Sequence, residues 1–162
     1  MSSEDLYQSL LNAAFRFVSY RPRSKKEIID FLQKKLKLWK TAGQATFEKV
    51  INRVDELGYI DDVKFAQWWV EQRNAFRPKG IALLARELYQ KGVSRAVIED
   101  VLSQSSTDDA EGARLVAQKK IKALKHLPKL EQRKKLYGFL GRRGFSSEVI
   151  NRVVDDMLSG GV

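Results

Sequence analysis

A turn that occurs twice constrains this chain more than any other feature. Lys91-Gly92-Val93-Ser94 is answered 52 residues later by Arg143-Gly144-Phe145-Ser146. In each copy the glycine suits a left-handed helix C-terminus and the serine suits the next N-cap. The apolar residue between them can staple against Ile98 or Ile150, one turn into the following helix. Val50-Ile51-Asn52-Arg53-Val54 likewise recurs as Val149-Ile150-Asn151-Arg152-Val153. Repeats of this period predict helical units set in a row.

Apolar residues at helical spacing fill the intervals. Residues 4–18 carry Leu6, Leu10, Ala13, Ala14 and Phe17 on one face. Arg21-Pro22-Arg23 ends that helix, and Ser24 with Glu27 forms a capping box for the next, which carries Ile28, Leu32 and Leu36. Thr41-Ala42-Gly43 is a turn, and Thr46 is expected to start a third helix with Val50, Ile51, Val54 and Leu57 inward.

Gly58 suits a C-terminal cap, Asp61 an N-cap, and Asp62 adds negative charge at the same helix start. Phe65, Ala66, Trp69 and Val70 are expected in the core, with Trp68 at its exposed edge. Pro78 and Gly80 interrupt this helix, and Ile81, Leu84 and Leu88 mark the next apolar stripe. Residues 103–109 read as a linker or helix start. Beyond them come Ala110, Ala113, Ala117, Ile121 and Leu124, a break at His126-Leu127-Pro128, a helix marked by Leu130, Tyr137 and Leu140, and a last helix with Ile150, Val153, Val154 and Met157. Gly160-Gly161 is expected to fray. The predicted fold is all-α: tandem three-helix repeats, about nine helices, at residues 1–57, 58–105 and 106–162, in an elongated arrangement that can curve.

The formal charge is +10, from 30 basic and 20 acidic residues. Residues 1–57 hold 11 basic and 7 acidic, residues 58–105 hold 7 and 6, and residues 106–162 hold 12 and 7. The excess sits at the two ends and points to a polyanionic partner. From Lys119 to Arg143 there are ten basic residues and one acid, Glu131. With no cysteine, disulfides and thiolate ligands are excluded, and a cytoplasmic location is expected. No apolar run approaches the ~20 residues of a membrane span, and the N-terminus lacks a signal-peptide pattern. The single histidine, His126, lacks a metal-ligand partner at HxxxH or HExxH spacing. Asp61-Asp62 and Asp108-Asp109 read as caps and Asp155-Asp156 as a solvated face. No Walker loop is present, and Gly138 to Gly144 reads as a helix terminus. The expectation is a protein that is not an enzyme and needs no cofactor.

Gly58-Tyr59-Ile60-Asp61-Asp62, Phe65-Ala66, Arg73, Gly80, Arg86-Glu87-Leu88 and Lys91-Gly92-Val93-Ser94 together resemble the central region of RecX, the regulatory protein of the bacterial recombinase RecA. The resemblance implies tandem three-helix repeats. It also implies binding along the RecA–DNA filament, with inhibition of ATP hydrolysis, strand exchange and co-protease activity in recombination and DNA repair. Carried over as contacts are Arg73, Arg86 and Lys91. Family members often have glycine-proline and several arginines where this chain has Gly80-Ile81-Ala82-Leu83.

Position in a basic turn adds Arg77 and Lys79, and the basic run adds Lys119, Lys122, Arg133, Lys134, Arg142 and Arg143. Expected partners are the RecA filament and, more weakly and with salt sensitivity, single- and double-stranded DNA. A monomer is expected, with no membrane association. Two other readings stay open: a non-specific DNA- or RNA-binding helical-repeat protein without a recombinase partner, and a scaffold whose charge serves solubility.

Overall fold

The computed structural model describes residues 1–105 and 108–160. Among them are nine α-helices and no strand: α1 (Ser3–Ser19), α2 (Lys25–Leu38), α3 (Gln44–Glu56), α4 (Asp62–Phe76), α5 (Ile81–Gln90), α6 (Arg95–Gln104), α7 (Asp109–Ile121), α8 (Lys129–Arg142) and α9 (Ser147–Ser159). Gly161 lies outside the described residues, as does part of the 103–109 segment.

Two compact units are formed, Met1–Trp68 with Tyr89–Ile98, and Trp69–Leu88 with Glu99–Val162. In the first, α1 packs on α2 and α3 around Leu10, Ala14, Ile28, Leu32, Val50 and Val54. In the second, α7, α8 and α9 enclose Ala113, Ala117, Leu136, Leu140, Ile150 and Val153.

Local chemistry sets the helix ends. Gly58, Gly92 and Gly144 have φ of 80°, 81° and 85°, a region costly for any side chain. Ser24 caps α2 through a reciprocal capping box with Glu27. The Ser94 and Ser146 hydroxyls accept from the Val97 and Val149 N–H groups. Both staple pairs, Val93 with Ile98 and Phe145 with Ile150, are buried.

Other assignments shift. α3 starts at Gln44 rather than Thr46, because Gly43 takes the N-cap position. Thr46 is instead buried, with its hydroxyl 3.3 Å from that of Ser3. In the turn before α3 the left-handed residue is Lys40, with φ of 52°. Leu57, Ile81, Leu130 and Tyr137 are exposed, the first as the α3 C-cap and Ile81 and Leu130 in first turns; Leu136 and Leu140 carry the inward face of α8. Trp68 and Trp69 are both half-buried, so neither the exposed edge nor the full core expected of them is observed.

One joint appears once in each unit. At the N-terminus of α2, the Ser24 hydroxyl donates to the Lys91 carbonyl at 2.7 Å, and the Lys25 N–H donates to the Asp62 carboxylate at 2.8 Å. At the N-terminus of α5, the Gly80 N–H donates to the Arg143 carbonyl at 2.8 Å, and the Ile81 N–H donates to Asp109 at 3.3 Å. Lys91 and Arg143 are the matching residues of the repeated turn. Each paired acid therefore splits its work. Asp61 and Asp108 cap their own helices, accepting from the Lys64 and Ala110 N–H groups, while Asp62 and Asp109 satisfy orphan donors of another helix.

The second joint brings two backbones together. A Cβ on Gly80 would lie 2.0 Å from the Gly144 carbonyl oxygen, and a Cβ on Gly144 would lie 2.2 Å from the Leu83 Cβ. Gly80→Ala should destabilise the protein by about 1–3 kcal/mol, as overpacking against backbone does. Gly138→Ala, inside α8 and facing only the flexible end of Arg142, should stabilise it by about 0.5–1 kcal/mol. Denaturant unfolding of both variants checks the contrast.

Candidate nucleic-acid interface

The structure sorts the eleven candidate cations by what already neutralises them. In the first unit, Lys91 Nζ lies 3.0 Å from Glu27, whose carboxylate also holds Arg21 at 2.8 Å. In the second, Glu87 gathers three donors: the Trp69 indole N–H at 2.9 Å, Arg73 at 3.3 Å, and Lys79. The Arg73 guanidinium also lies 4.4 Å from the Trp69 ring centroid. Trp69 thus packs as one wall of an ionic cluster. Arg133 pairs with Asp155. Arg73, Lys79, Lys91 and Arg133 thus each have a carboxylate partner within the fold.

Arg77, Arg86, Lys119, Lys122, Lys134 and Arg142 are exposed and make no ion pair among the described residues. Of these, Arg77 and Lys119 meet Arg143 at a cleft of about 470 Å³ in the second unit. The end of α4 and the following turn supply Phe76, Arg77 and Pro78; α7 supplies Leu115, Lys119 and Lys120; α8 and its C-cap supply Phe139 and Arg143. Four cations and no carboxylate line it. Lys120 Nζ and the Arg143 guanidinium each lie 5.0 Å from the Phe139 ring centroid, so this ring fixes both cations by cation–π attraction. Phe76 stands at the cleft with 74% of its surface exposed.

The joints explain why Arg143 faces this cleft while Lys91 is neutralised. Lys91 meets Glu27, the third residue of α2. The corresponding residue of α5 is Leu83, so no carboxylate stands at the position of Glu27, and the Arg143 guanidinium lies against Phe139. Sequence reasoning named Arg77, Lys119 and Arg143 but not Lys120 or Phe76 as site residues. The signal available for Phe76 was its place beside Arg77 at a helix end.

The cations and aromatic rings at this cleft are of the kind that attract anions. Among the described residues no group of three or more His, Cys, Asp or Glu could hold a metal, and His126 is exposed. No helix among them is long and apolar enough to cross a membrane.

The fold and site define an all-α protein with three-helix units and a cleft lined by cations. Two family models match, described as the RecX second three-helix domain, over residues 61–102, and the RecX third three-helix domain, over residues 107–154. The regulatory protein RecX of Chlorobium phaeobacteroides is 37% identical over 144 residues, covering 89% of this chain and 90% of its own. That of Prosthecochloris aestuarii is 33% identical, covering 98% of this chain and 99% of its own. A crystal structure of regulatory protein RecX superposes with a TM-score of 0.76 at 26% identity, over 94% of this chain and 73% of that one. The chain belongs to the RecX family.

Glu87 and Glu27 tie stability to pH. Burial pushes both carboxyls up, but hydrogen bonds outweigh it, from Lys79 and Trp69 to Glu87 and from Arg21, the Ser24 N–H and Lys91 to Glu27, so both lie below the ordinary glutamate range. A carboxyl depressed in the fold contributes stability above its unfolded pKa of about 4.3, and this is lost as pH falls through the folded value. Burial raises Asp109 beyond what the Ile81 N–H lowers, so Asp109 works in the opposite direction. Glu87→Gln should cost about 1–3 kcal/mol at neutral pH. The gap from wild type should narrow on acidification to about two units below the ordinary glutamate value, as denaturant curves at both pH values would show.

Proposed function

We propose that this chain is a regulator of RecA that binds the RecA–DNA filament and restrains its ATP hydrolysis, strand exchange and co-protease activity in recombination and DNA repair. The observation that carries the reading is the identity to proteins named regulatory protein RecX across nearly the whole chain. It is supported by cations left without carboxylates, Arg77, Arg86, Lys119, Lys122, Lys134 and Arg142, which can face phosphates or acidic protein surface. The ordinal domain descriptions and the α1–α3 cluster support reading residues 1–57, 58–105 and 106–162 as three successive repeats. The proposed form is a cytoplasmic monomer that acts by binding, without a cofactor and without catalysis.

The cationic cleft also favours a second reading, a nucleic-acid-binding protein with no recombinase partner. The two part in one assay, DNA-dependent ATP hydrolysis by a bacterial RecA titrated with this protein at two salt concentrations, with naked-DNA binding alongside. Inhibition is expected well below one molecule per DNA-binding site. No inhibition, or inhibition only at amounts that coat the DNA, would overturn the regulatory reading. Arg86→Ala should weaken inhibition with no loss of stability, whereas Arg73→Ala should also lower stability because it strips a partner from Glu87.

A further inference from the structure

We infer that the cleft of the second unit is a subsite for one unstacked nucleotide of a single strand, with its base on Phe76 and its flanking phosphates on Arg77, Lys119 and Arg143. The inference rests on the nucleic-acid part of the proposed function and is independent of any recombinase.

Three observations carry it. The lining holds four cations and no acid, an excess that calls for a polyanion. Two of those cations are held on Phe139, so their charge is fixed before a ligand arrives. Phe76, the last residue of α4, lines the same cleft while 74% exposed, which leaves a flat aromatic surface available beside the cations. A base can stack on such a ring whatever its identity, whereas bases in a duplex have both faces occupied. The geometry therefore selects single strands over duplexes without selecting sequence.

The path of the strand has a boundary. A second hollow shares Asn74, Pro78 and Leu115 with the cleft but is lined by Asp108, Asp109 and Glu111 together with Lys79, which is itself paired with Glu87. Phosphates are repelled from that side and kept on the side of Arg77 and Lys119. An acidic peptide would satisfy the cations equally well. It supplies no aromatic face at every residue, and so would leave Phe76 unused.

The test is fluorescence anisotropy of a labelled oligo-dT with the full chain and no recombinase present. Phe76→Ala and Phe76→Leu should each weaken binding by about 5- to 150-fold, because leucine keeps apolar contact and loses the stacking ring. Arg77→Ala and Lys119→Ala should each reduce the salt slope of log K by about 0.7. Duplex of the same length should bind more weakly than oligo-dT and be insensitive to Phe76. Phe76 is exposed, so circular dichroism should report an unchanged melting point for its variants.

Wild-type affinity in Phe76→Leu would overturn the inference. If the Arg77 and Lys119 variants still lost binding, the cleft would then be a charge-only site of the kind that takes an acidic peptide. Wild-type protein that inhibits RecA yet fails to bind oligo-dT would also overturn the inference while leaving the regulatory reading intact. Wild-type protein that binds oligo-dT through Phe76 yet leaves RecA unaffected would sustain the inference and remove that reading.

Discussion

The rest of this structure depends on how the N-termini of two helices are satisfied. A helix start leaves orphan N–H groups and a positive dipole end, and both must be answered. At α2 and at α5 the answer comes from residues remote in sequence, a carboxylate from Asp62 or Asp109 and a turn around Lys91 or Arg143. The carbonyl of that turn meets a Ser24 hydroxyl in one case and a Gly80 amide in the other. The substitution of amide for hydroxyl brings backbone against backbone, and this is why the α5 joint has glycine on both sides.

The same joint distributes charge. Where α2 offers Glu27, the basic residue of the turn is neutralised; where α5 offers Leu83, the basic residue reaches an open cleft. The residue at the third position of the helix, Glu27 or Leu83, thus goes with whether the basic residue of the turn has a carboxylate partner. The three acid pairs complete the pattern. Asp61, Asp62, Asp108 and Asp109 accept from helix N–H groups, and Asp155 and Asp156 pair with Arg133 and Arg114. Every one of these carboxylates has structural work, as a helix cap or as the partner of an arginine.

Helix number, helix caps and glycine turns were legible in the sequence because each depends on a few adjacent residues, as at Ser24-Lys25-Lys26-Glu27 and Arg143-Gly144-Phe145-Ser146. Apolar residues at helix ends were not, since spacing alone cannot say where the buried face stops; Leu57, Ile81 and Leu130 are exposed for this reason. The candidate site was legible as a list of cations and illegible as a place. Whether Arg73 or Arg77 faces solvent depends on where Glu87 lies, and the two arginines are one helical turn apart. Asp62 and Asp109 each follow a capping aspartate, and nothing local indicates that their carboxylates reach another helix.

The adjacent residues Trp68 and Trp69 carry a spectroscopic consequence. The Trp68 ring lies 5.4 Å from the Arg21 guanidinium within the first unit, and the Trp69 indole donates to Glu87 within the second. Two neighbouring chromophores therefore report on different compact bodies. Replacing either by phenylalanine would leave an emission signal dominated by the other, apart from the contribution of Trp39. The chain thus contains its own pair of optical reporters for following local opening in each unit without an attached dye.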